Sequence, residues 1–418
     1  MRIGMLSQWF DPEPGPAAIP GVLARELART GHTVSVLTGY PNYPLGTVYP
    51  GYTQRWREVS RPAPRISVTR VPLHPSHDGS ALGRSMNYAS FALSASTSGA
   101  LRGADALWVY NSPVSVSLPL LLHSRYGRVP YFLHVQDVWP DSLLESGMFP
   151  GGAAGRVAAR VIDGIVRLTE RRAAVIGVIS PGVRDLILER HPSADPAKII
   201  YVPNPTDESL FRPTNRVGGD GQDDGAGVDV APDRPFTVMY VGAIGDVQSL
   251  ETLLDAAEIL AGHDHLRFAV VGDGIARDRL ETDARRRGLS SVTFHGRVPK
   301  ESVPALMASA DAQLVSLAAS PFLRLTTPSK IASLLASEVP VIGHLDGDGA
   351  RLLRESGAAV TAAAGDASAL ASAVLAMHDV GPAGRRAMAR RGRRYYEQHL
   401  TAQVTAARIV ESLEAVAR

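Results

Sequence analysis

The 418-residue sequence contains no cysteine. Without thiols the chain can form neither disulfides nor thiolate metal sites, and it has no cysteine nucleophile. It also lacks any run of 18 apolar residues free of charges, so we expect no segment that spans a membrane. The apolar N-terminal stretch is too short for a signal peptide, because it meets polar Ser7 and Gln8 at once. These absences predict a cytoplasmic protein.

An excess of charge of either sign is missing as well. Lys and Arg number 43 against 41 Asp and Glu, a net charge of +2, which gives no bulk electrostatic reason to expect nucleic acid binding. The 45% of hydrophobic residues is typical of a soluble globular protein. Because 418 residues exceed what one hydrophobic core usually serves, we predict two domains.

Short apolar runs alternate with helical patterns through both halves of the chain. This alternation predicts two doubly wound α/β domains with parallel sheets, one over residues 1–213 and the other over residues 236–395. Residues 214–235 are rich in Gly and Asp without apolar periodicity, which indicates a linker. We expect a C-terminal helix in residues 396–418 to pack on the first domain.

In the first domain, two features follow predicted strands at the edge where such sheets bind ligands. The loop after the first strand contains Pro14, Gly15 and Pro16, and it is either an acceptor-side loop or a plain tight connection. His134 and Asp137 follow another apolar strand and could act as acid/base or orienting groups. Alternatively, Asp137 caps a helix and His134 lies in the core.

In the second domain, three turns follow strands on one edge of the predicted sheet. They suggest a nucleotide, with the base near residues 295–298 and the pyrophosphate between the other two turns. Any one glycine on its own is equally explained as strand punctuation. The candidate donor-binding residues in and beside these turns are Gly242, Gly245, Gly272, His295, Arg297, Arg324, Thr327, Ser329 and Lys330.

The third of these turns, Pro328-Ser329-Lys330, opens into an apolar helix. Proline suits the first turn of a helix, and the amides and dipole at a helix start favour an anion. Lys330 adds a full charge there and Ser329 a hydroxyl donor, with Arg324 as a second cation. An ordinary capped surface helix with one solvated lysine is the alternative.

Taken together, these segments resemble the GT-B glycosyltransferases of family 4, closest to the branch that transfers N-acetylated amino sugars in bacterial polysaccharide synthesis. The resemblance covers essentially the whole chain. It implies two Rossmann-like domains facing across a cleft, a nucleotide-sugar donor on the second, an acceptor on the first, and retention at the anomeric carbon. The segments that carry it are residues 134–140, 202–207, 240–242, 272–274, 294–296 and 328–330 with 340–342.

The sequence departs from the pattern of that family in its donor-binding carboxylates, among other positions. Many members carry a Glu-x7-Glu pair, and Leu325 and Ser333 stand at those positions here. The carboxylate that usually contacts the donor ribose is therefore absent, and Ser333 could offer only a weaker hydrogen bond. We expect the phosphate charge to be met by Lys330, Arg324 and backbone amides. Either this branch binds its donor differently or the chain is a weak or inactive member.

These observations predict a retaining, metal-independent glycosyltransferase with His134, Asp137 and Lys330 as its catalytic residues. We expect no cofactor, a UDP-linked donor as co-substrate, a saccharide, lipid-linked saccharide or small-molecule acceptor, and a location in the cytoplasm or at the inner face of the membrane. A nucleotide-sugar 2-epimerase and a non-catalytic nucleotide-sugar-binding protein stay open. A dehydrogenase is disfavoured, because the 242–245 turn lacks a third glycine and a ribose-binding acid.

Overall fold

The computed structural model describes residues 1–76, 81–127, 129–139, 153–213 and 234–417. The chain divides into two compact units. Unit 1 comprises Met1–Pro205 with Ala402–Arg418, and unit 2 comprises Thr206–Thr401. The division thus falls eight residues before the predicted end of the first domain, and most of the predicted linker lies outside the described residues.

Unit 1 is built on an eight-stranded sheet with the order β3-β4-β2-β1-β5-β6-β7-β8. All neighbouring strands are parallel except β3, which is antiparallel to β4. The strands are β1 (Arg2–Leu6), β2 (Thr33–Gly39), β3 (Glu58–Ala63), β4 (Ile66–Val71), β5 (Ala106–Asn111), β6 (Tyr131–Val135), β7 (Val175–Val178) and β8 (Ile199–Tyr201).

Helices cover both faces of this sheet. The described helices of unit 1 are α1 (Ile19–Arg29), α2 (Ala81–Ser96), α3 (Ser117–Gly127), α4 (Ala153–Arg172), α5 (Pro181–Arg190) and the last helix of the chain, α13 (Ala402–Val416). Leu23 and Leu27 of α1 point into the core, as their helical spacing predicts. Ile409 and Leu413 of α13 join the same cluster, so the end of the chain completes the core of unit 1.

The sequence did not predict the β3–β4 hairpin. All six residues of β3 are exposed or half-exposed, so the strand has no buried face and no alternation of buried and exposed residues to detect. Such a strand is stable only at the edge of a sheet, where its polar side chains stay in water.

Unit 2 is built on a six-stranded, fully parallel sheet with the order β11-β10-β9-β12-β13-β14. Its strands are β9 (Phe236–Val241), β10 (Leu266–Val271), β11 (Val292–Gly296), β12 (Ala312–Ser316), β13 (Val341–His344) and β14 (Ala359–Ala362). Its described helices are α6 (Glu251–Ile259), α7 (Arg277–Arg286), α8 (Val303–Ser309), α9 (Lys330–Ala336), α10 (Gly347–Ser356), α11 (Ala367–Asp379) and α12 (Gly381–His399).

Each sheet has one point at which the strand order reverses. In unit 1 the reversal lies between β1 and β5, and in unit 2 between β9 and β12. Loops leave these neighbouring strands in opposite directions, which opens a crevice at their carboxyl ends. The loops after β9 and β12 include Gly242–Gly245 and residues 327–330, so the topology brings two of the three predicted donor turns to the crevice of unit 2.

Two strand ends in unit 2 approach each other more closely than side chains allow. A Cβ atom added at Gly272 would lie 1.8 Å from the carbonyl oxygen of Gly242, well inside contact distance. Gly272 also has φ +141°, a conformation that residues with a side chain rarely adopt. The close packing of the loops after β9 and β10 therefore requires glycine at this position.

We predict that Gly272→Ala destabilises unit 2 by at least about 3 kcal/mol, because the added methyl group meets rigid backbone. Gly262→Ala is the matched control, since nothing lies within 4 Å of its added Cβ. Urea denaturation followed by circular dichroism measures both variants. Equal free energies of unfolding for the two variants would refute the packing argument.

Candidate functional site

The side chain of Lys330 crosses the reversal point of the unit 2 sheet. Lys330 begins α9, and its ammonium group lies 3.7 Å from the centre of the Tyr240 ring, at the end of β9. A Cβ atom added at Gly242 would be 2.9 Å from the same nitrogen. A lysine that follows β12 is therefore seated on the end of β9, in the crevice where a doubly wound sheet binds its ligand.

This ammonium group is buried and has no hydrogen-bond partner. The hydroxyl oxygen of Thr327, three residues earlier, is likewise buried and unpaired. Burial lowers the pKa of Lys330 to about 7. A buried cation held only by an aromatic ring is costly to maintain, and such groups concentrate at functional sites. The pair of donors fits a ligand that supplies negatively charged oxygen atoms.

The amides of the predicted donor-binding glycines are not free to bind a phosphate. The N–H of Gly242 donates to the Val271 carbonyl at 3.0 Å, and the N–H of Gly272 donates to the Gly296 carbonyl at 2.8 Å. The N–H of Gly245 donates to the side-chain oxygen of Gln248 at 3.0 Å. These three amides are bonded within the protein, so the glycines shape the crevice and do not present free donors to a phosphate.

The other predicted donor residues differ in their surroundings. Ser329 and Arg324 are exposed, and the side chain of Arg324 forms no ion pair with any residue in the described ranges. His295 and Arg297 are also exposed, at the end of the edge strand β11. They share the carboxyl edge of the sheet with Lys330 and lie two strands away from β9.

Ser333 does not have a free hydroxyl group. Its oxygen shares a hydrogen bond of 2.8 Å with the hydroxyl of Thr206. The backbone N–H of Thr206 in turn donates to the hydroxyl of Tyr396 on α12. Ser333 stands where the resembled family carries a glutamate, and it is thus hydrogen-bonded to Thr206, the first residue of unit 2. Any contact of Ser333 with a ribose would compete with this bond.

Sequence reasoning missed Arg277, at the start of α7. Its guanidinium group lies 3.5 Å from where a Cβ atom of Gly296 would be, and its Nε atom is buried without a hydrogen-bond partner. The signal was available, because Arg277 closely follows the Gly272-Asp273-Gly274 turn at a strand–helix junction. Arg277 therefore joins the cations at the carboxyl edge of unit 2.

A buried histidine fixes the loops around this edge. The N–H of Gly365 donates to Nε2 of His344 at 2.9 Å, so Nδ1 carries the proton and donates to Ser316 at 2.8 Å. The hydroxyl of Ser316 donates to the backbone carbonyl of Gln248 at 2.7 Å. Burial lowers the pKa of His344, which favours the neutral ring that this chain of bonds requires.

In unit 1, Asp137 lies at the carboxyl edge of the sheet, after β6. The hydroxyl of Ser112, after β5, donates to its carboxylate at 2.6 Å, and burial raises the pKa of Asp137. Burial also raises the pKa of Tyr88 on α2, and the nearby Asp137 carboxylate adds to this shift. Arg84 lies on the same helix, and its Nε atom is buried without a hydrogen-bond partner. These groups form a polar cluster beside the reversal point of the sheet.

His134 lies in the core of unit 1, which differs from the catalytic role predicted for it. It is fully buried, with three aromatic rings within about 6 Å, and its Nε2 atom lies 2.9 Å from the Val202 carbonyl. Burial lowers the pKa of His134 to about 4, so the ring is neutral. The ring has no exposed surface, and the core interpretation is therefore favoured over catalysis.

The proline-glycine loop of unit 1 is held by polar contacts. Pro14 precedes a short 3₁₀ helix that begins at Gly15. The hydroxyl of Tyr110 donates to the Pro16 carbonyl at 3.1 Å. The buried carboxylate of Glu13 accepts hydrogen bonds from the N–H groups of Asn42 and Tyr43, both at 2.8 Å. The loop is thus fixed at the carboxyl end of β1, where the sequence predicts either an acceptor-side loop or a plain tight connection.

Comparison with known proteins assigns both halves of the chain to related domains. The model of the Glycosyl transferase 4-like domain matches residues 15–205, and that of Glycosyl transferases group 1 matches residues 235–379. The chain is 28% identical over 346 residues to WcaI of Escherichia coli (strain K12), described as a colanic acid biosynthesis glycosyl transferase. This alignment covers 80% of the chain and 81% of WcaI.

Solved structures share the fold over nearly the whole chain. Sucrose-phosphate synthase from Thermosynechococcus elongatus superposes with a TM-score of 0.70 at 17% identity, covering 99% of this chain and 98% of that one. HepE from Anabaena, in complex with UDP-glucose, superposes with a TM-score of 0.67 at 15% identity, covering 99% and 100%. These likenesses show the fold of the two sheets.

We predict that Lys330→Met raises the free energy of unfolding, most of all at or below pH 7. The unfolded chain keeps the lysine protonated up to about pH 10.4, whereas the native state releases the proton near pH 7. The native state therefore gains stability from proton release between these values, and the advantage of the methionine shrinks as pH rises. Denaturation at several pH values measures it, and an unchanged advantage across that range would contradict the burial of the charge.

Proposed function

The chain belongs to the GT-B glycosyltransferases of family 4, and from that premise we propose that it transfers a sugar from a nucleoside diphosphate to a saccharide or lipid-linked saccharide acceptor in cell-surface polysaccharide synthesis. The observation that carries the proposal is the buried, unpaired ammonium group of Lys330 at the reversal point of unit 2. A diphosphate bound there would supply the negatively charged partner that the ammonium group lacks.

Lys330 would act on the leaving group. Transfer breaks the bond between the anomeric carbon and the terminal phosphate oxygen, and that oxygen keeps the electron pair. The acceptor hydroxyl forms the new bond to the anomeric carbon, and its proton is taken up by the departing diphosphate. A cation aimed at the departing diphosphate lowers the barrier, because the negative charge grows in the transition state. In this proposal, Lys330 and Thr327 contact the diphosphate directly.

The donor is proposed to be UDP-linked, and the transferred sugar to be of the N-acetylhexosamine type. The structure of HepE with UDP-glucose supports the uridine nucleotide, and the resemblance to the amino-sugar branch supports the sugar. The same resemblance supports transfer with retention of the anomeric configuration. It also supports transfer without a metal ion or a cofactor. In this proposal Arg277 and Arg297 would meet the nucleoside end of the donor, since both lie near the end of β11.

The acceptor is proposed to bind unit 1 at the polar cluster of Asp137, Tyr88 and Arg84. The carboxylate of Asp137 is held in place by Ser112 and can accept a hydrogen bond from a sugar hydroxyl. A lipid-linked acceptor would place the enzyme at the inner face of the membrane.

A donor-binding protein without turnover is the second candidate. It is favoured by the lost carboxylates at Leu325 and Ser333, and by the bond that already occupies the Ser333 hydroxyl. Product analysis separates the candidates: a transferase yields a glycosylated acceptor and UDP, and an epimerase alters the donor without an acceptor. Binding of UDP-sugars without product over a panel of acceptors would favour the second candidate.

We predict that Lys330→Ala lowers kcat by about 10²–10³-fold, the loss typical when one donor to a transition-state charge is removed. Lys198→Ala is the matched control, because Lys198 lies in unit 1 and donates to the carbonyls of Glu170 and Arg171. Steady-state release of UDP with a saccharide acceptor measures both variants. A Lys330→Ala enzyme with the wild-type kcat would remove Lys330 from the mechanism.

We also predict that UDP binds more weakly as pH rises above about 7. The diphosphate prefers protonated Lys330, whose pKa is about 7 in the free protein, so binding takes up a proton. Affinity should then fall by up to about tenfold for each pH unit until the pKa of the complex is reached. Calorimetry between pH 6 and 9 in buffers of different ionisation enthalpy measures both effects. A wild-type pH profile as flat as that of Lys330→Met would contradict this.

A further inference from the structure

One face of unit 1 carries an exposed apolar surface among arginines, formed by α2, α3 and α4, which we call the three-helix face. We propose that the three-helix face docks on the surface of an anionic lipid bilayer. The inference rests on the proposed function in one respect, since a lipid-linked acceptor gives the enzyme a reason to lie there. The physical argument for the surface is independent of it.

Topology places the three helices on one side of the sheet. The chain crosses from β1 to β2 through α1 in one direction, and from β4 to β5, β6 and β7 through α2, α3 and α4 in the other. Right-handed crossovers then put these three helices on the face opposite α1 and α13. They also contact one another in sequence, α2 with α3 and α3 with α4.

Large apolar side chains protrude from all three helices. On α2, Leu82 is 72% exposed and Leu93 64% exposed, with Met86 between them on the same stripe. Half of the 14 large exposed hydrophobic side chains of the described residues lie on these three helices. They are Leu82, Met86, Leu93, Leu118, Val157, Val161 and Ile165. Such a concentration in one place marks an interaction surface.

The same helices are strongly basic. Their sequences contain seven arginines and two carboxylates, a net charge of +5, whereas the whole chain carries only +2. Both carboxylates are engaged, because Asp163 pairs with Arg167 at 2.7 Å and buried Glu170 pairs with Arg190 at 2.8 Å. The exposed arginines on the described part of these helices are Arg156, Arg160, Arg171 and Arg172. The exposed charge is therefore positive and complements an anionic surface.

The arrangement on α4 suits a lipid surface. Exposed Arg156 and Arg160 each stand directly before an exposed valine, Val157 and Val161. At a lipid surface, arginine stems reach the phosphates while neighbouring apolar groups enter the acyl boundary. A second copy of the chain fits poorly, because a two-fold interface would set the same positive surfaces against each other.

The proposal concerns a surface contact. In the described ranges, no helix combines the length and the apolar character needed to cross a bilayer. The stripes on α2 and α4 are short rows on otherwise packed helices, which suits shallow insertion at the headgroup level.

Vesicle co-sedimentation of the full chain tests the proposal. We expect the protein to sediment with phosphatidylcholine vesicles that contain about 30 mol% phosphatidylglycerol, and at least about tenfold less with phosphatidylcholine alone. Val157→Glu with Val161→Glu should abolish binding, and Arg156→Gln with Arg160→Gln should weaken it by on the order of tenfold or more. Ile259→Glu is the matched control, an exposed apolar residue of unit 2 at 54% exposure.

Several outcomes would overturn the proposal: no sedimentation with anionic vesicles, an equal loss in Ile259→Glu, or a dimer in light scattering that Val157→Glu dissociates. UDP calorimetry on the same samples separates this inference from the proposed function. Vesicle binding without UDP binding refutes only the function, and UDP binding without vesicle binding refutes only the docking surface. A circular dichroism spectrum and a thermal unfolding curve like those of the wild type show that unit 1 of the glutamate variants is folded.

Discussion

A buried ammonium group without a hydrogen-bond partner is the constraint on which the crevice of unit 2 depends. Lys330 is held against the Tyr240 ring, and the missing side chain of Gly242 makes room for it. The protein bears the cost of keeping this cation out of water in the absence of ligand. In the proposed function, a diphosphate removes that cost when it binds, and its charge increases further when the sugar leaves. Destabilisation of the free protein and stabilisation of the leaving group would then be two consequences of one interaction.

Parallel topology makes the interaction possible. Strands β9 and β12 are neighbours in the sheet although they are distant in sequence, and their loops turn away from each other at the shared carboxyl edge. Gly272 then lets the loop after β10 pack directly on the loop after β9. The bonds from His344 through Ser316 to Gln248 fix the remaining backbone. A rigid edge of this kind keeps the lysine in place instead of letting it turn to solvent.

Unit 1 has the same architecture but different side chains at its reversal point. Its reversal point gathers polar groups that suit a sugar, including the carboxylate of Asp137 with its Ser112 partner. Its outer helices carry apolar residues and arginines that suit a lipid surface. Because α2 contributes Arg84 and Tyr88 to the polar cluster and Leu82 to the exposed stripe, one helix connects the two surfaces.

The sequence by itself determined the two doubly wound sheets and most of their strands, since alternating apolar runs, helical stripes and glycine turns are local properties. It also pointed to Lys330, because a cation at a helix start is visible in the chain. Only the tertiary structure decided which groups are free. The amide of Gly242 is taken by Val271, and His134 is enclosed beside Val202. Hydrogen-bond partners that come from distant strands follow from packing in three dimensions, and no local pattern records them.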